Sequence, residues 1–188
     1  MTSDAVNPEL SRPLRLDQIG AGESKVDIHA EPEERAALAR RFDIVSVERL
    51  EAQFTLRRDA AGVVARGHVS GAVTQACIVT DEPLPVRIEE DFAIRFVPEP
   101  SDGAAGEDEF ELSADECDTV FYTGGTIDLG EAAAETLALG LDPYPRSPNA
   151  AAALREAGVI SEEEARRQAA ETGPFGGLAA LKDKLGKA

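Results

Sequence analysis

The chain has no tryptophan, one methionine and two tyrosines, and aromatic residues make up 5% of its 188 positions. A protein this poor in large rings builds its core from aliphatic side chains. An apolar fraction of 43% is enough for one domain of ordinary size. Cysteine is scarce as well. Cys77 and Cys117 lie 40 residues apart with no CxxC, so the expectation is two reduced thiols rather than a disulfide framework. The two histidines, His29 and His68, sit in strand-like segments with no Cys or His at ligand spacing, which leaves no metal site to predict. No apolar run is long enough to cross a bilayer. The opening residues MTSDAVNPELSRP have neither the basic n-region nor the apolar h-region of a secretory signal. The expectation is therefore a cytoplasmic chain with no membrane partner. There is no GxxxxGK[ST] loop, no GxGxxG opening a helix and no GxSxG elbow. Neither a catalytic residue, a cofactor nor a small-molecule substrate is expected.

Positive charge is the other shortage. Nineteen Lys and Arg face 36 Asp and Glu, a net charge of −17. From Asp81 to Asp118 there are 14 acids against Arg87 and Arg95, so this segment alone holds −12. Phosphate backbones are bound by clustered cations, and the chain as a whole has the wrong sign for that. A basic protein is the easier electrostatic match. The densest acidic run, Glu107, Asp108, Glu109 and Glu111, supplies candidate partner-binding residues. As a metal-binding or acid/base site it has no ordered ligand pattern.

What is present is periodicity. Pro13–Leu16 reads as a short edge strand, and Val26 and Ile28 have strand spacing within Ser24–His29. Pro32 at a helix-N1 position, followed by Glu33 and Glu34, opens a short amphipathic helix with Leu38 and Phe42 on one face. Three long alternating segments follow: Val45–Arg57, Val63–Thr80 and Leu84–Val97. Such alternation predicts an antiparallel sheet with one wet face. Gly67 and Gly71 are expected to bend or bulge the second strand. Cys77, in that strand with no cation nearby, is expected to be a small buried hydrophobe. Cys117–Tyr122 is a further strand. The overall expectation is an α+β fold: a strongly bent antiparallel sheet or partial barrel of long strands, with several short helices. The domain plan is a flexible terminus over 1–11, an α+β domain over 12–148 containing an acidic loop over 98–116, and a helical C-terminal segment over 149–188.

The stretch YTGGTIDLGEAAAETLALGLDPYPRSP, Tyr122–Pro148, carries the most backbone-specific signals. Gly124-Gly125 makes a break, and Asp128 stands three residues before Glu131 in the spacing of a capping box. Leu137 and Leu141 share one helix face, and three prolines between 143 and 148 end the helix. Glu131, Glu135, Tyr144 and Arg146 are candidate partner contacts, and a structural role as a brace is the first expectation. Further on, Asn149–Ala157 is a short helix stopped by Gly158. Ser161 and Glu164 form a second capping box opening a helix to about Thr172. Leu178, Leu181 and Leu185 mark a last short one.

The order Cys117-Asp118, Gly130-Glu131, Leu141-Asp142-Pro143-Tyr144-Pro145-Arg146, Pro174-Phe175 and Leu178–Lys182, together with Gly67–Cys77 in the middle strand, resembles the YceD-like family in its alphaproteobacterial form. These are bacterial proteins named for large ribosomal RNA subunit accumulation. The resemblance spans roughly residues 12–185. Many relatives carry a CxxC in the central strand and a second cysteine pair after the helix, which suggests a metal site. Here Thr80 stands at the partner position of Cys77, and DPYPRSP has no cysteine, so that site is not carried over. The resemblance implies a non-enzymatic role in ribosome biogenesis, supporting accumulation of 23S rRNA or the large subunit. With the acidic charge, the expected partner is a basic ribosomal protein or a large-subunit assembly factor. The competing reading is direct rRNA binding through Arg35, Arg40, Arg41, Arg57, Arg58 and Arg66. A metal-dependent nuclease using Glu107 and Glu109 is a distant third.

Overall fold

A computed structural model describes residues 8–20, 22–99 and 118–172. The elements in chain order are β1 (Pro13–Arg15), β2 (Ser24–His29), α1 (Pro32–Arg41), β3 (Ser46–Arg58), β4 (Val63–Ala76), β5 (Pro83–Pro98), β6 (Asp118–Tyr122), β7 (Thr126–Asp128), α2 (Leu129–Leu139), α3 (Ala150–Glu156) and α4 (Glu162–Thr172). Strands β2 to β6 form one five-stranded sheet in sequence order, and β1 pairs with β7 in a separate two-stranded ribbon. The class is α+β. The sheet departs from expectation in one way: its last pair, β5–β6, is parallel, so it is mixed rather than antiparallel. Of the two expected forms, sheet or partial barrel, it is an open sheet, with β2 and β6 as its two edges.

The long strands form because their residues alternate. Leu50, Ala52, Phe54 and Leu56 of β3 pair in register with Gly71, Val69, Gly67 and Ala65 of β4. These side chains bury one face, together with Ile88, Ile94 and Phe96 of β5. Gly67 and Gly71 do not bulge the strand: the ladder runs in register through both, and the one irregularity falls between Val47 and Arg49. The glycines serve packing instead. Gly67 lies opposite both Phe54 and Phe92, whose rings meet at 4.8 Å. A Cβ there would stand 2.7 Å from the Phe92 ring and 1.8 Å from the Gln53 carbonyl. A Cβ at Gly71 would stand 2.4 Å from Leu137 Cδ1 of α2. The second strand also ends earlier than its alternation suggests. Residues 77–82 are a turn in which Cys77 N–H donates to Glu82 O at 2.9 Å and Asp81 takes φ +56°.

Helix α1 starts as predicted at Pro32, closed by a full capping box between Glu31 and Glu34. The box expected at α2 is only half made. The Asp128 carboxylate accepts from the N–H groups of Gly130 and Glu131, but Glu131 turns away to Arg41. A bidentate guanidinium offers two charge-assisted hydrogen bonds where the backbone offers one neutral donor. Of the terminus expected to be flexible over 1–11, the last residues are held. Leu10 is fully buried, and Ser11 Oγ donates to Asp128 at 2.5 Å.

By Cα proximity the chain forms two compact units, Met1–Ala76 with Pro83–Pro145, and Cys77–Glu82 with Arg146–Ala188. The first holds both sheets, α1 and α2. The second holds the 77–82 turn, α3 and α4. Gly158, at φ +78°, follows α3. The second capping box is complete: Ser161 N–H donates to Glu164 Oε2 at 2.9 Å and Glu164 N–H to Ser161 Oγ at 3.2 Å. The predicted helix through Leu178, Leu181 and Leu185 lies outside the described residues.

Candidate functional site

The first candidate region is the start of α2. Asp128 is its hub, accepting from Ser11 Oγ, Arg12 N–H (2.8 Å), Gly130 N–H (2.9 Å) and Glu131 N–H (3.2 Å). Beside it Arg41 forks onto Glu131 at 2.6 and 2.9 Å and also reaches Glu9 at 3.1 Å. Glu131 thus fastens α2 to α1. Glu135, one turn on, has its carboxyl raised by burial and by the charge of Glu131, with Arg41 pulling the other way. Both acids line a cleft of ≈ 290 Å³ with Phe96, Val120, Phe121 and Tyr122. Tyr144 is 70% exposed, and its backbone N–H donates to Asp142 Oδ1 at 2.9 Å, which shapes the proline turn. Arg146 is exposed and without a partner among the described residues. Of the eight predicted contacts, then, Glu131 and Glu135 come together, Tyr144 and Arg146 are individually exposed, and Glu107, Asp108, Glu109 and Glu111 lie outside the described residues.

The second region is the 77–82 turn with residues 147–149. Cys77 is fully buried, as expected of a small hydrophobe, but its chemistry differs from that expectation. Burial pushes its thiol up. Hydrogen bonds from the Thr80 hydroxyl, from Ser147 N–H (3.2 Å), from Val79 N–H (3.4 Å) and from the Ser147 hydroxyl outweigh it and bring the thiol down to about 6. No cation is needed, because several donors converge on one sulfur. Thr80 Oγ1 lies 3.2 Å from Ser147 Oγ and 3.0 Å from Glu82 Oε2, and Asn149 Nδ2 donates to Glu82 Oε1 at 2.8 Å. Zinc sites are built from four Cys, His or carboxylate ligands. This corner offers one thiol, two hydroxyls and a carboxylate already spanned by hydrogen bonds, and that donor set does not fit a metal. Among the described residues no three His, Cys, Asp or Glu side chains converge to hold one.

The third region is the outer face of the five-stranded sheet. The six arginines proposed for rRNA are dispersed, except for two. Arg35 donates to Ala30 O and Arg58 to Leu16 O, Arg41 is fixed on its acids, and Arg40 is exposed at the end of α1. Arg57 and Arg66 share the outer face with Lys25, a residue that sequence reasoning missed. The signal for Lys25 was its alternation with Val26 and Ile28, which places it opposite the core face. Further along, His68 bridges Glu89 and Asp91 at 2.8 Å each, and the two carboxylates raise its basicity. His29 Nε2 lies 3.1 Å from Glu31 Oε1.

These three regions belong to an α+β protein built on an open, mixed five-stranded sheet. A sequence profile described as large ribosomal RNA subunit accumulation protein YceD matches residues 65–182, most of the chain. The chain belongs to the YceD family. No curated protein and no solved structure matches it. The family's name ties it to large-subunit rRNA accumulation, and no described helix is long and apolar enough to cross a membrane.

Proposed function

We propose that this protein is a non-enzymatic factor supporting accumulation of 23S rRNA and the large ribosomal subunit, and that it engages a basic ribosomal protein or assembly factor through its acidic surface. The observation that carries this is charge left without a counter-ion. Within the acidic segment, Asp81, Glu90, Glu99 and Asp118 are exposed, and none has a cationic partner among the described residues. Arg95, one of that segment's two arginines, is already spent on Asp59 at 3.0 Å. Glu107, Asp108, Glu109 and Glu111 add four more acids to the same segment. Like charge concentrated in one stretch of chain speeds and orients encounter with an oppositely charged protein.

The test is capture of the tagged full-length chain from its own cells at low salt. A basic large-subunit protein or assembly factor should co-purify and be released as salt rises from about 50 to about 500 mM, where screening shortens to a few ångströms. The quadruple variant Glu107→Gln, Asp108→Asn, Glu109→Gln, Glu111→Gln should retain it poorly. Capture with no large-subunit component at low salt rules this reading out.

A further inference from the structure

The outer face of the sheet is chemically divided. At one end, Arg57 pairs across to Val64 and Thr55 to Arg66, with Lys25 opposite Thr55. Arg57 is therefore the diagonal neighbour of both Arg66 and Lys25, at roughly 7–8 Å, while Lys25 and Arg66 flank Thr55 two strands apart, about 10 Å from each other. Arg95, opposite Val64, extends the group onto β5. All four point away from the core face. Lys25, Arg57 and Arg66 are exposed and have no ion-pair or hydrogen-bond partner among the described residues; Arg95 is held by Asp59. The next row holds Asp27, His68 and Asp91, and His68 engages Asp91 rather than leaving it to the cations.

This grouping runs against the rest of the molecule. Like charges on adjacent strands repel, and acids outnumber bases 36 to 19, so neutralising partners are in ample supply. A cluster kept unpaired under those conditions matches an external anion. One more feature narrows the class. Phe121 of β6 is opposite Val97, two residues beyond Arg95 on the same face, and is 60% exposed. A sheet face with cations for phosphates and an aromatic ring for a base is an arrangement that holds unpaired nucleotides. We propose that the Lys25–Arg57–Arg66 corner of the open sheet face, with Phe121 at its edge, binds the backbone of single-stranded RNA. This contact goes beyond the protein-partner reading: the acids would hold a basic protein while the sheet corner holds RNA.

The test uses the full-length protein and a fluorescently labelled single-stranded RNA of mixed sequence, followed by anisotropy across a salt series. Three phosphate contacts predict a slope of log K against log salt near −2.1, about a 20-fold loss of affinity between 50 and 200 mM. The variant Lys25→Ala, Arg57→Ala, Arg66→Ala should flatten the slope to near zero. Phe121→Ala should weaken single-stranded binding about fivefold or more and leave duplex RNA unaffected. Arg57→Lys, Arg66→Lys keeps the charge and should keep the slope, which separates lost contacts from a damaged fold. No salt-dependent RNA binding by the wild-type chain, or a wild-type slope in the triple alanine variant, overturns the proposal. So does retention of an acidic protein, in place of RNA, by this same corner. Capture of a basic protein is an independent readout: it should survive the triple variant, so either reading can fail alone.

Discussion

The seat of α2 on the sheet can be tested through one atom pair. Leu137 is fully buried, and its Cδ1 occupies the space that a Cβ at Gly71 would enter, 2.4 Å away. Gly71→Ala therefore overpacks a closed site and should cost about 1–3 kcal/mol. Leu137→Ala removes a buried side chain and leaves a cavity, at a cost of about 2–5 kcal/mol. Together the two should cost less than their sum, by about 1–2 kcal/mol. With Leu137 truncated, the new methyl at position 71 drops into vacated space. Its other neighbours, Ile88 Cβ at 3.7 Å and Arg49 O at 3.8 Å, are at ordinary contact distance. The assay is urea unfolding followed by far-ultraviolet circular dichroism, because the chain has no tryptophan to report by fluorescence. Unchanged m-values would show that the stability change is in the native packing. If the two costs add to within about 0.5 kcal/mol, the helix does not rest on Gly71 as described.

Asp128→Ala removes a helix cap together with the anchor for Ser11 and Arg12, so it should cost about 2 kcal/mol, the upper end for a cap. Hydrogen exchange at Gly130 and Glu131 should accelerate in that variant, and unchanged exchange would contradict the hub. Cys77 gives a pH signature. Its thiol falls from an ordinary 9.0 to about 6 on folding, so the unfolded chain binds the proton more tightly. The stabilisation is complete above pH about 9, shrinks between 9 and 6, and is gone below about 6. Thermal midpoints should therefore rise with pH across that window in the wild type and rise less in Cys77→Ala; parallel profiles would refute the hydrogen-bonded thiolate. A strong chelator should leave the thermal midpoint unchanged, since Cys77, Thr80 and Ser147 do not make a metal site; a fall of several degrees would mean that they do.

Most elements were legible in the sequence because each rests on a local pattern. Alternation marked β2 to β5, Pro32 with its acids marked α1, and Ser161 with Glu164 marked α4. What escaped was decided by partners far away in the chain. The parallel β6 depends on where the chain returns after β5, which no period records. Three-residue β7 is held by β1, and its sequence Thr126-Ile127-Asp128 has too few residues to show a period. The two glycines of β4 looked like bulge signals, but Phe92 and Leu137 explain them. The capping box at α2 had the right spacing and lost its second half to Arg41, 90 residues away. The same limit applied to the site. Cys77 was read by its flanking residues, whereas its thiol is set by Thr80 and Val79 of the following turn together with Ser147, 70 residues away. Arg57 and Arg66 stood out as residues, but register alone unites them with Lys25.

The central proposal is that the protein supports large-subunit rRNA accumulation. The most direct measurement is the ratio of 23S to 16S rRNA in cells depleted of the protein, with and without a supplied copy. The ratio should fall on depletion and return with the wild-type copy. A ratio that stays unchanged on depletion would contradict the account.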